Sequence, residues 1–368
     1  MAKSENRALA RELRARRLDG YLIYAASEGD ADMHYATRFL APDPFLYLWK
    51  GGRTTVVVSR LEFGRARKEA KASEVRCMDD YGWAAIARRN PKDATAAFIA
   101  EVLRRKGLRR IGVPPNFPFD LALRLRRRGF ALEPLDALRQ DRTLKTSAEV
   151  AAMRRVQRAT EEGMALARRM LRKRTTADRI RSAVDTLLLQ RGCEPGHLIV
   201  APGPGSADPH WAGSGPVRPG DPVVCDFFPR SLATRYFADM TRTFIPGRPS
   251  PRIRELYDLV LRAQKAGLAE VRHGASCSAP HQAAVEVFKE AGVEKLYIHS
   301  TGHGVGLEIH EPPRLAANGL TLRTGQVVTV EPGLYDPRVG GVRLEDMVLV
   351  KRGGCVNLTR FDKRWTVW

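Results

Sequence analysis

The spacing of apolar and charged positions over residues 4–17 predicts an amphipathic helix, and 20–24 that follows is an apolar strand. Two β-rich runs, 45–49 and 54–59, flank Lys50-Gly51-Gly52, which predicts a hairpin. Helical patterns near 61–71, 93–106 and 118–128 alternate with strand candidates near 75–78, 110–113 and 130–133. That alternation predicts an α/β domain over 1–140.

From about 141 the pattern changes, and 141–368 reads as a separate α+β domain. Thr146-Ser147 caps a helix over 148–172, and a second helix over 177–191 ends at Gly192. A strand-like run at 197–201 leads into the Pro/Gly-rich segment 202–210, a loop that ends on His210. Strands are expected at 223–226 and 236–244, followed by helices at 251–272 and 278–291. The order of two helices and then strands therefore occurs twice.

Length and composition narrow the class. A chain of 368 residues suggests two domains, and 43% hydrophobic with 28% charged residues fits a globular protein. There is no run of about 18 apolar residues, so no membrane span is expected. The first residues lack the apolar segment of a signal peptide. Five cysteines at 77, 193, 225, 277 and 355 show neither metal-ligand spacing nor a disulfide framework, which points to a reducing cytoplasm. The formal charge of +21 is spread over many helices instead of one tail or aromatic-interleaved patch. It reads as an arginine-rich surface, not as a nucleic-acid site. His34 stands alone and reads as a surface or satisfied core residue.

Candidate chemistry lies in the second half. Asp226 closes one apolar strand and Asp239 lies within the returning one, so the two can face each other across a hairpin. Aspartate is disfavoured in strands, and a pair of them needs a reason. Gly302, Gly304 and Gly306 surround His303 and precede His310, where the chain must bend or admit a ligand closely. Glu331 and Glu345 each interrupt an apolar, strand-like run. A buried carboxylate is costly unless paired or bound to a metal. Four carboxylates and one imidazole suit Mn, Co, Fe or Zn and argue against thiolate chemistry. They exceed what a closed structural zinc site needs, and they suffice to bridge two ions roughly 3.5–4 Å apart.

The motifs Asp226…Asp239-Met-Thr-Arg-Thr, Thr301-Gly-His303-Gly-Val-Gly-Leu, His310-Glu-Pro-Pro, Glu331-Pro-Gly-Leu-Tyr and Val342-Arg-Leu-Glu345-Asp resemble the pita-bread metallopeptidases. This is the family of prolidase, aminopeptidase P and methionine aminopeptidase. The likeness is strong over 145–355, and the first half is more weakly similar to the N-terminal domain of creatinase, prolidase and aminopeptidase P. The resemblance implies an α/β creatinase-like domain followed by an α+β pita-bread catalytic domain. It implies two divalent ions held by Asp226, Asp239, His303, Glu331 and Glu345, with Asp239 and Glu345 bridging. His210 and His310 would hold substrate and stabilise the tetrahedral intermediate, and Glu331 would double as proton shuttle. Arg314 would grip the substrate carboxylate, and Arg343, counted with it among the substrate-binding residues, would orient a ligand. The implied activity is hydrolysis of Xaa-Pro bonds in dipeptides or at peptide N-termini by metal-activated hydroxide, in a homodimer. A creatinase-like hydrolase of small amides or guanidines, and a catalytically dead binding protein, are the alternatives on this fold. Two departures stand out. The Asp226–Asp239 interval is two residues longer than usual, which is expected to bring Arg230 and Arg235 to the pocket rim. The short Glu331–Glu345 interval resembles compact prolidases.

Overall fold

The computed structural model describes residues 6–367. The first two positions of the helix expected over 4–17, and most of the stretch read as lacking a signal segment, lie outside the described residues. The chain forms two compact units, Met1–Arg142 and Thr143–Trp368.

Among the described residues, the first unit is built on a sheet of β1 (Gly20–Ala25), β2 (Phe45–Lys50), β3 (Arg53–Val58), β4 (Glu74–Cys77), β5 (Arg110–Val113) and β6 (Ala131–Pro134). Their order is β4-β3-β2-β1-β5-β6. The β2 strand runs antiparallel to both neighbours, and Gly51 and Gly52 take the positive φ that the tight turn into β3 requires. The remaining neighbours are parallel. One face of the sheet buries Leu22, Leu48, Val57 and Ile111 against Ile99 and Leu103 of the helix Ala94–Arg105. The first helix, Arg7–Ala15, is capped from far along the chain: Asp141 Oδ2 accepts the amides of Ala8 (3.1 Å) and Leu9 (3.2 Å). Short helices at Ala31–Thr37, Trp83–Arg89 and Ala137–Thr143 escape the sequence pattern. Seven residues make barely two turns, too few to show a period. His34 is buried in the first of these.

The second unit begins with the paired helices Ser147–Met170 and Ala177–Gln190. The first is set by a capping box, in which Thr146 Oγ1 accepts Glu149 N (3.3 Å) and Glu149 Oε2 accepts Thr146 N (2.7 Å). Next come β7 (Cys193–Glu194), β8 (Ile199–Pro202), β9 (Val223–Phe227), β10 (Arg230–Ser231) and β11 (Met240–Phe244). The strands β8, β9 and β11 form an antiparallel sheet with β9 central. A second helix pair, Pro251–Ala269 and Ala279–Glu290, precedes β12 (His303–Gly304), β13 (Glu311–Arg314), β14 (Val327–Val330), β15 (Gly333–Asp336), β16 (Gly340–Arg343), β17 (Asp346–Lys351) and β18 (Gly354–Asn357). Here the order is β13-β12-β14-β17-β18, with β15 and β16 forming a hairpin. The sequence of helix pair and then strands is thus realised twice.

The lengthened segment between β9 and β11 differs from expectation. Its β10 strand pairs with β7, and Leu232 N donates to Gly192 O (3.0 Å). Arg230 binds Glu194 at 2.6 Å and Arg235 reaches the same carboxylate at 3.4 Å. Neither arginine lines the cleft described below, because Glu194 is the anion that the turn brings within their reach. No described helix is long and apolar enough to cross a membrane.

Candidate metal centre

Side chains alternate along a strand, so Asp239, Thr241 and Thr243 project to one side of the β11 run, and Met240 and Arg242 to the other. Register places Asp226 opposite Thr241. The two aspartates are therefore diagonal neighbours on adjacent strands, facing each other across the hairpin with the pairing displaced by two residues. Thr241 ties in the next ligand candidate: its hydroxyl donates to Glu345 Oε2 (2.8 Å) and its carbonyl accepts Glu345 N (3.1 Å). Glu331 follows β14 and is held by its amide to Thr301 O (2.7 Å) and by Thr329 Oγ1 to its Oε1 (3.2 Å). The same Thr329 oxygen accepts His303 N (3.1 Å). One threonine thus fixes His303 and Glu331 relative to each other.

The glycine at 302 serves the protein's own backbone, not a ligand. A Cβ there would lie 2.1 Å from Thr329 O, so only glycine lets β12 approach β14 closely enough to present His303.

Asp239, His303 and Glu345 each offer a ligand atom within 4.8 Å of the others, and all three are buried. His303 Nε2 lies 3.2 Å from Glu331 Oε1 and 3.7 Å from Asp239 Oδ2. Its Nδ1 sits 3.1 Å from Gly304 O, and donation there leaves Nε2 directed at the carboxylates. Burial, reinforced by the charges of Glu345, Asp226 and Glu331, pushes the Asp239 carboxyl well above its usual range. Burial and the charges of Glu331 and Asp226 do the same to Glu345. Burial acts to raise Glu331 as well, but the His303 hydrogen bond and charge hold it down at about 2. Burial opposes protonation of His303, and Glu331 overcomes it and raises His303.

Asp226 tests whether this site suits a cation. Its Oδ2 accepts Arg343 Nη2 (2.7 Å), and its Oδ1 is buried without a hydrogen-bond partner. A buried carboxylate oxygen without a hydrogen-bond partner, close enough for its charge to act on Asp239 and Glu345, suits a divalent ion. Arg343 also donates to Tyr335 Oη (2.9 Å) and Thr241 Oγ1 (3.2 Å), and Tyr335 Oη lies 2.8 Å from His299 Nε2. Asp226, Arg343, Tyr335 and His299 form one hydrogen-bonded chain that fixes the orientation of Asp226.

These groups open into a cleft of about 1140 Å³. Every candidate ligand and substrate residue from the motifs lines it: His210, Asp226, Asp239, His303, His310, Arg314, Glu331, Arg343 and Glu345. His210, His310 and Arg314 are exposed, whereas Arg343 is buried. The His303 and His310 rings meet edge to face with centroids 4.3 Å apart. Burial, and then the charge of His303, lowers the pKa of His310, which favours its neutral form at pH 7. Sequence reasoning did not assign roles to Thr241, Thr329, Tyr335 and His299. Thr241 and Tyr335 stand inside the motifs around Asp239 and Glu331, and the parity of Thr241 with Asp239 was a usable signal.

The crowding has a measurable consequence in metal-free protein. Glu345 has a folded pKa above its unfolded value, so its contribution is favourable at acid pH and is lost as pH rises through the folded pKa. The neutral variant Glu345→Gln keeps an acceptor for Thr241 and removes this charge. Stripped of metal, it is expected to melt a few degrees above stripped wild type at pH 8, with the gap closing toward pH 4. Equal melting temperatures at pH 8 in differential scanning calorimetry would contradict the repulsion argument.

The pattern of metallopeptidase family M24 matches residues 151–352. A Xaa-Pro dipeptidase from Pyrococcus horikoshii is 31% identical over 265 residues, covering 70% of this chain and 75% of that one. One from Pyrococcus furiosus is 35% identical over 232 residues, covering 62% of this chain and 66% of that one. The crystal structure of the prolidase from Pyrococcus horikoshii OT3 superposes with a TM-score of 0.85 at 25% identity, over 99% of this chain and 100% of that one. The matched residues take in every cleft candidate from His210 to Glu345, and the carboxylate cluster is built for a cation; the chain belongs to metallopeptidase family M24.

Proposed function

We propose that this protein hydrolyses Xaa-Pro peptide bonds at a centre of two divalent ions. The reading rests on the convergence of four carboxylates and His303 on one cleft whose charges are unbalanced without cations. The likeness to Xaa-Pro dipeptidases supports the substrate class. Asp226, Asp239, His303, Glu331 and Glu345 would hold the ions, with Asp239 and Glu345 shared between them. Such a pair supplies Lewis acidity, acidifying water and polarising the scissile carbonyl.

The chain's own residues do the rest. Glu331, tied to His303, takes the proton from the attacking water and delivers it to the leaving proline nitrogen. His310 and His210 stand at the open side of the cleft and hydrogen-bond the scissile group as charge develops on its oxygen. Arg314 is exposed in the same cleft and binds the proline carboxylate of a dipeptide. Arg343 is held by Asp226 and Tyr335, so it positions Asp226 and does not bind substrate. The division into a creatinase-like domain over 1–140 and a catalytic domain over 141–368, a homodimeric state and a cytoplasmic site belong to the same proposal.

The test is hydrolysis of Ala-Pro, Gly-Pro and an Xaa-Pro-Xaa tripeptide after loading with Mn, Co, Fe or Zn. Cleavage of the dipeptides alone is expected. Cleavage of the tripeptide would move the activity to aminopeptidase. Metal uptake with no proline peptide cut would refute the substrate class.

A further inference from the structure

The segment 305–310 joins His303 to His310, and a buried ion pair outside the metal cluster holds it. Glu311, next in the chain after His310, directs both carboxylate oxygens inward. Its Oε1 accepts Leu307 N (2.9 Å) and Glu308 N (3.3 Å), and its Oε2 meets Lys145 Nζ at 2.9 Å. Both side chains of the pair are 1% exposed. Lys145 is fixed in turn by its own amide, which donates to Gly325 O (2.7 Å). Gly306 leaves the space that the carboxylate fills, since a Cβ there would lie 2.5 Å from Glu311 Oε2. The loop is also pinned from its other side, where Phe237 N donates to Gly306 O (2.8 Å).

An apolar pair of similar volume would pack here without the desolvation cost of two charges, so stability alone does not explain this one. The carboxylate does something an apolar side chain does not: it closes the turn on two amides. His310 and Glu311 share a peptide plane, so whatever fixes the direction of Glu311 limits where the His310 ring points. The ring itself meets His303 edge to face.

We propose that Lys145 and Glu311 are positioning residues for His310, holding the 305–310 turn so that the imidazole faces the scissile group. The inference rests on the reading that His310 contacts substrate. Lys145 fixes the carboxylate rotamer, Glu311 fixes the turn, and the turn fixes the ring.

The experiment compares Glu311→Gln, Lys145→Met, His310→Ala and the double variant Glu311→Gln/His310→Ala in the full chain. With Mn-loaded enzyme and Ala-Pro, Glu311→Gln and Lys145→Met are each expected to lower kcat roughly 10- to 100-fold at unchanged metal content. The double variant is expected to lose no more than His310→Ala alone, because Glu311 acts through that ring. Independently of activity, [13Cε1]histidine-labelled metal-free protein reports ring position by NMR. The His310 resonance, identified by its loss in His310→Ala, is expected to shift in both single variants while the His273 resonance stays in place. Additive losses in the double variant, or an unmoved His310 resonance in both single variants, would overturn the proposal. If wild type cuts no proline dipeptide, the proposed function fails and the resonance decides the positioning role by itself. Should Glu311→Gln not fold, Lys145→Met, which leaves both turn amides bonded, carries the NMR test.

Discussion

Glu345→Ala is expected to abolish hydrolysis, with kcat down by at least about a thousandfold, the scale of several kcal/mol of lost Lewis-acid stabilisation. Glu345 is one of the three buried side chains whose ligand atoms converge, and its backbone and carboxylate are both fixed by Thr241. Alanine removes the ligand atom and leaves the strand connection, since the Glu345 amide still donates to Thr241 O. Bound metal, read by atomic emission after gel filtration, is expected to fall with the activity. A variant that keeps full metal and wild-type kcat would remove Glu345 from the centre.

Arg242→Met is expected to produce a larger loss of stability than any substitution within the centre itself. This arginine is 1% exposed and spends its donors on the frame of the centre, not on the ligand atoms. Nη2 binds Asp346 Oδ1 (2.8 Å) and Phe361 O (2.7 Å), Nε binds Asp362 O (2.9 Å), and Nη1 binds Thr241 O (2.8 Å) and also Glu345 O. It therefore ties β11 to the start of β17 and to the C-terminal segment. Methionine fills much of the volume but leaves the buried Glu345 carbonyl and Asp346 Oδ1 without their guanidinium donor. Removing one partner from such a network costs roughly 3–5 kcal/mol. For a unit of this size that corresponds to a fall in Tm on the order of 10 °C. Metal affinity is expected to weaken as well, because the Glu345 carbonyl loses its anchor. A Tm within about one degree of wild type would show that water or Lys363, which already meets Asp346 at 2.6 Å, replaces the guanidinium.

The sequence by itself was informative wherever a local rule held. Glycine-glycine turn chemistry marked the β2–β3 hairpin, and Thr146-Ser147 marked the start of the long helix, which the structure closes with a capping box. The ordered motifs around Asp226, Asp239, His303, Glu331 and Glu345 carried the family, because acids and histidine inside apolar strands are costly to bury unless a cation compensates them. They also named side chains that share one cleft, although they come from strands far apart along the chain.

What the pattern did not contain is relative placement. The diagonal offset of Asp226 and Asp239 follows from strand register, which depends on how β8, β9 and β11 align and not on the count of residues between the aspartates. The lengthened turn went to Glu194 because β10 found β7, a pairing of two-residue strands with no periodic signal. Gly302 read as a bend or as room for a ligand, and its open side is taken by the Thr329 backbone. The anchoring of His303 by Thr329, the bonds of Arg343 to Asp226 and of Tyr335 to His299, and the Lys145–Glu311 pair are contacts between segments remote in sequence. Residue type and spacing are local properties and determined which groups this protein brings to a metal site. Register, close backbone approach and buried hydrogen bonds are tertiary properties, and they alone decided where each of those groups points.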